Sequence, residues 1–219
     1  MKNNKKLTER ILVRTQFNTF YSLQQKIGKL NDVNRNYHEG DLSIGIRSEH
    51  ITMERYVRIF EKMENEQTYT MTLSDDSLLC LYYEFDKTDS ITMHELSYIP
   101  SYRIDNGNGQ YEDDINPFEL INRARNYIRI DFGSKGYKEY THTLIHAHFG
   151  PEKGDVVRIP VEHTVLPYEF LFFILKYVYH VNDDELRFLC GDVGIIRDSK
   201  LSINEKKRVR LLLSDCIQH

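Results

Sequence analysis

The shortest connections in the chain constrain its fold most. Three strand-like runs, Gln67–Leu73, Leu78–Asp86 and Ile91–Tyr98, are joined only by the turn cluster Ser74-Asp75-Asp76-Ser77 and by Lys87-Thr88-Asp89. A parallel return needs a crossover of about a dozen residues, so neighbours joined this tightly must pair antiparallel. Pro100 closes this meander. Asp41–Arg47 alternates Leu42, Ile44 and Ile46 to one side and adds another strand. Elsewhere the apolar period becomes helical. Leu7, Ile11, Leu12, Phe17, Phe20, Tyr21, Leu23 and Ile27 mark a long amphipathic helix over Lys5–Leu30, suited to docking on the sheet or on a partner. Met53, Tyr56, Val57, Ile59, Phe60 and Met63 do the same over Ile51–Glu64, and Pro117–Tyr127 reads as a short helix. Tyr168–Tyr179 is apolar nearly all round and starts behind Leu166-Pro167, so it should be a central, buried helix. Asn31–Gly40 reads as a polar connection. The tail, Val181–His219, predicts two helices around Gly191–Asp198. Asn182 caps the first, and Ser202 with Glu205 forms a capping box on the second, stapled by Leu201.

The same period-two sorting isolates one polar cluster, in Arg129–Arg158. In Tyr127–Phe132, Ile128, Ile130 and Phe132 take one side of the pleat and Arg129 and Asp131 the other. In Thr141–Phe149, Ile145, Ala147 and Phe149 oppose His142, His146 and His148. In Val156–Val161, Val157, Ile159 and Val161 oppose Arg158. If the three strands adjoin, their apolar sets face the buried helix and the polar sets converge. His146 and His148 would stand two strand rises apart, ~6.6 Å between alpha carbons, close enough to chelate one ion. Asp131 would complete a two-His, one-carboxylate set for zinc, manganese or iron, with zinc or manganese the ion expected. Such a centre could cleave a phosphodiester, with Arg129 and Arg158 clamping the phosphate and His142, His146 and His148 as the catalytic group. Without a metal, the histidines could serve as acid and base, or the face could bind a phosphate-bearing ligand and do no chemistry. An antiparallel sheet often has one wet face, so a solvated surface would look the same in sequence. Gly150 stands where a histidine triad needs its third histidine.

Composition narrows the class. The chain has 219 residues, 40% hydrophobic and 28% charged, which suits one α+β domain: an N-terminal helix and connection over 1–40, a sheet core over 41–180 and a helical region over 181–219. The sheet is expected to be mainly antiparallel, of about six or seven strands, with helices packed largely on one face. The longest apolar run, Phe170–Leu175, is too short to span a bilayer, and no apolar signal core follows the basic start MKNNKKLTER, so a cytoplasmic location is expected. Cys80, Cys190 and Cys216 are too scattered for a disulfide framework or a metal knuckle. Lys2, Lys5 and Lys6, and Lys206, Lys207, Arg208 and Arg210, form local basic clusters within a net charge of −4. The oxygen-rich loop Arg103–Asp114 lacks the spacing of a calcium loop. Glu84 and Asp86 share a strand face and could pair as carboxylates, but they sit at a strand end where charge is normal, and His94 and His163 read as isolated surface residues.

The ordered segments TYTMTLSDDSLLCLYYEFD, HELSYIP, IRIDF, THTLIHAHFG, RIPV and LPYEFLFFILKYVY, between about Asp41 and Tyr179, resemble the uncharacterised prokaryotic family catalogued as domain of unknown function 2290. The resemblance implies a bacterial setting among mobile or phage-defence genes and brings no activity with it. Three functions therefore stand as expectations. The first is an accessory or partner protein whose His/Arg face binds a phosphate-bearing ligand or nucleic acid. The second is a metal-dependent phosphodiesterase or nuclease built on His142, His146, His148 and Asp131. The third is a structural subunit or homo-oligomer that docks through the N-terminal helix.

Overall fold

The computed structural model describes residues 8–103, 116–151, 158–189, 197–207, 209–211 and 213. The polar loop after Arg103, Val156, Val157, Cys190, Cys216, Lys2, Lys5, Lys6 and Arg208 lie outside the described residues. Among the described residues nine strands form one sheet: β1 Leu30–Val33, β2 His38–Glu39, β3 Ser43–Gly45, β4 Met71–Leu73, β5 Leu78–Phe85, β6 Ile91–Ile99, β7 Ile128–Phe132, β8 Ile145–Phe149 and β9 Arg158–Pro160. Their order is β1-β4-β5-β6-β7-β8-β9, with β3 also paired to β5 and β2 to β3. Every strand pair is antiparallel. The class is α+β, as the short connections require. β1 and β2 come from the stretch read as a connection. They carry no apolar alternation and are recruited through the backbone, with the Asp32 N–H donating to Thr72 Oγ1 at 3.1 Å beside a bulge.

The helices are α1 Glu9–Gln24, α2 Tyr56–Asn65, α3 Pro117–Ala124, α4 Pro167–Tyr177 and α5 Asp183–Leu186. On one face of the sheet, Leu12, Val13, Phe17, Phe20 and Leu23 of α1 and Phe170, Leu171, Ile174 and Leu175 of α4 pack with Leu79, Leu81, Tyr83, Ile130 and Ala147. The apolar stripe of α1 is thus occupied inside its own chain. On the other face a smaller core joins Tyr56, Ile59, Phe60 and Met63 of α2 and Ala124 at the end of α3 to Leu78 and Cys80. Of the two helices expected in the tail, the described residues form the single turn α5 and a 3-10 turn, Glu205–Lys207. Both expected caps are present. Asn182 Oδ1 accepts the Glu185 N–H at 3.1 Å, and Ser202 and Glu205 exchange bonds of 2.8 and 3.2 Å. His94 is not a surface residue. Alternation along β6 sends it inward with Leu96 and Tyr98, where it is 1% exposed and its Nε2 accepts the Val165 N–H at 3.1 Å.

Candidate metal centre

Register decides which polar side chains meet. β7 and β8 pair Arg129 with His148 and Asp131 with His146, and β8 and β9 pair His148 with Arg158. Directly opposed residues on one face of an antiparallel pair bring their side chains together. The apolar partners Ile130 and Ala147 anchor the other face in the α1/α4 core. This sheet therefore turns period-two alternation into a packed polar cluster.

Asp131 is its hub. Arg129 donates to Asp131 Oδ2 from Nε at 3.0 Å and Nη2 at 2.8 Å, and His148 Nε2 stands 3.2 Å from the same oxygen. His146 Nε2 lies 4.0 Å from it. Donor atoms of Asp131, His146 and His148 fall within 4.8 Å of one another, a grouping that small side-chain shifts could close on one ion. His146 Nδ1 is 2.8 Å from the Thr143 carbonyl oxygen. A carbonyl can only accept, so Nδ1 carries the proton and Nε2 presents its lone pair, the way a metal-ligating histidine is held. Asp131 Oδ1 is buried without a hydrogen-bond partner among the described residues. The Arg129 charge sits on Oδ2, so Oδ1 is the oxygen of this carboxylate that no described residue engages. The donor set fits zinc or manganese.

Electrostatics agree with that geometry. Burial alone would raise the Asp131 carboxyl, but the His148 hydrogen bond and the Arg129 guanidinium outweigh it and hold the pKa down at about 2. Burial, then the neighbouring His148, lowers His146 to about 4, so at neutral pH its imidazole is neutral and able to ligate. The His142 ring lies tilted against that of His146, with centroids 4.7 Å apart, but it does not join the group of three. Burial and then the charge of Arg158 lower its pKa. Arg158 itself is exposed at the rim, whereas Arg129 is committed to Asp131.

One participant was missed in the sequence. Glu95 of β6 lies opposite Asp131, and Ser48 Oγ donates to its Oε1 at 3.0 Å. Burial, then the charge of Asp131, pushes the Glu95 carboxyl up. The signal was present, since Glu95 and Ser97 share a pleat side in Ile91–Tyr98. Alternation shows which side a residue takes, and not which strand lies next to it.

Among the described residues no helix is long and apolar enough to cross a membrane. No curated protein and no solved structure matches the chain. A family model described as an uncharacterized conserved protein, DUF2290, matches residues 12–213, from α1 to beyond the last 3-10 turn. That span contains every residue of the cluster, and the chain belongs to the DUF2290 family.

Proposed function

We propose that the Asp131–His146–His148 cluster is a divalent-metal centre, of zinc or manganese type, in a phosphodiester hydrolase. The observation that carries this reading is the convergence of three donor atoms within 4.8 Å, with the His146 tautomer set by the Thr143 carbonyl. A bound divalent ion would supply polarisation of a phosphoryl oxygen and a lowered pKa for water. Arg129 keeps Asp131 ionised and oriented. Arg158, exposed beside the cluster, would supply the charge that meets a phosphate. His142, neutral at neutral pH, can accept a proton at the cluster's edge.

A binding-only face for a phosphate-bearing ligand or nucleic acid would need Arg129 and Arg158 together, and Arg129 already pairs with Asp131. Docking through α1 would need an apolar stripe that is buried in the sheet. Both observations favour the metal reading over the other two. An accessory role in bacterial phage defence, with the protein in the cytoplasm, is compatible with it and rests on the family resemblance alone.

The test is metal analysis of the full chain after loading with zinc or manganese and dialysis, together with hydrolysis of bis(p-nitrophenyl) phosphate. One retained ion per chain is expected. Asp131→Asn and His148→Gln should each weaken binding by more than the ~10–100-fold that losing a supporting hydrogen-bond partner costs, with unchanged circular dichroism. A folded wild-type chain that retains no ion and cleaves nothing in either metal would overturn the proposal.

A further inference from the structure

The row that holds the metal ligands continues well beyond them. Register extends it from His146 through Asp131, Glu95, Tyr82 and Gly45 to His38, one residue from each of six strands. Gly45 interrupts the row. Its φ is +111°, and a Cβ there would stand 2.0 Å from the Leu81 carbonyl oxygen, so no side chain can occupy the position. Beside the gap is a pocket of about 470 Å³ whose walls include Asn36, His38, Arg47, Glu66, Gln67 and Tyr82. The side chains of Asn36, His38 and Gln67 make no hydrogen bond to any described residue. At the wall nearer the metal ligands, the Arg47 guanidinium lies over the Tyr82 ring, 4.5 Å from its centroid, and is tethered to Glu84 at 3.3 Å.

This chemistry selects its ligand. A guanidinium plane and a phenol ring are stacking surfaces for flat heterocycles, and uncommitted amides and an imidazole can read a hydrogen-bonding edge. Glu66 in the wall, and Glu84 paired to the wall's Arg47, make the pocket a poor home for a phosphate. They do not oppose a neutral base. Tyr82 and Asp131 are two strand spacings apart, ~9.6 Å, so a ligand reaching from pocket to cluster must be longer than a bare phosphate.

We infer that the pocket seats a nucleobase of a single-stranded nucleic acid whose backbone runs along the row to the Asp131–His146–His148 cluster. The inference rests on the proposed phosphodiesterase reading for the fate of the phosphate, while the base site stands on its own geometry.

The experiment is fluorescence anisotropy with the full chain in EDTA, where a metal-dependent cleavage cannot intrude. The probes are a labelled thymidine hexamer and a hexamer of the same charge with every base removed. The intact hexamer should bind at least about tenfold tighter, as base stacking predicts. That preference should fall to within about twofold in Arg47→Ala, an exposed position whose loss leaves the core intact, and in Tyr82→Ala. Taking the ratio of the two hexamers removes the effect of the lost arginine charge. Equal binding of the two hexamers, no binding of either, or a preference that survives both substitutions overturns the base site. The metal analysis is read separately. One retained ion with no base preference leaves the metal centre standing alone, and a base preference without a retained ion does the reverse.

Discussion

His94 shows how one side chain can tie stability to pH. Its imidazole is 1% exposed, accepts the Val165 N–H through Nε2 and leaves Nδ1 without a partner among the described residues. Burial lowers its pKa to about 3, against ~6.5 for an unfolded histidine. Between those two values the unfolded chain binds a proton that the folded chain refuses. The contribution to stability is therefore complete above pH ~6.5 and is lost progressively as pH falls toward 3. His146, lowered to about 4, acts in the same direction. His94→Gln keeps an acceptor for Val165 without a titrating group. It should flatten the fall in unfolding free energy between pH 6 and 4 by up to ~1.4 kcal/mol per pH unit. Urea unfolding across that range measures the slope, and an unchanged slope would refute the assignment. Reading His94 as a surface residue failed because a lone histidine in a strand shows its side of the pleat, and not which side is covered.

At the scale of elements, the start of α4 is secured from a distance. Glu169 occupies the third helical position and accepts the Leu166 N–H at 2.8 Å, closing the helix entry that Pro167 opens. Arg197, 28 residues on, donates to both Glu169 oxygens and to the Thr164 carbonyl, and the paired side chains are only 7% and 4% exposed. Removing one member of so dry a pair strands the other's charge. Arg197→Met should therefore cost ~3–5 kcal/mol in denaturant unfolding, and adding Glu169→Gln should recover part of that loss. A double variant no more stable than Arg197→Met would show that desolvated charge is not the cause. The helix itself was legible, since Leu166-Pro167 and the apolar run Phe170–Leu175 announce its start and its burial. The Arg197 clamp was not, because periodicity carries no information across 28 residues. The same limit applies at the candidate site. Alternation gathered Arg129, Asp131, His146, His148 and Arg158 on one side, but the register that makes Asp131 the hub and brings in Glu95 and Tyr82 arises only when the sheet assembles.

For the whole molecule, the question is whether two cores behave as one. β5 belongs to both, with Leu79, Leu81 and Tyr83 facing α1 and α4 while Leu78 and Cys80 face α2. A strand cannot lose its packing on one face and keep its ladder bonds in order for the other, so the two clusters should melt together. The chain was read from its sequence as one domain, and that reading makes a quantitative demand. Ile59 of α2 and Ile174 of α4 are 1% and 0% exposed, on opposite faces of the sheet. Ile59→Val and Ile174→Val should each cost ~0.5–1.5 kcal/mol for the lost methylene. Sharing no partners, they should add to within ~0.5 kcal/mol in the double variant. Circular dichroism and calorimetry should report one coincident transition for all four proteins, shifted but not split. If Ile59→Val lowers one transition and Ile174→Val another, the α2 core unfolds on its own. The row from His38 to His146 lies on the α2 face of the sheet, so a nucleic acid lying along it would then sense the α2 core and not the α1/α4 core on the opposite face.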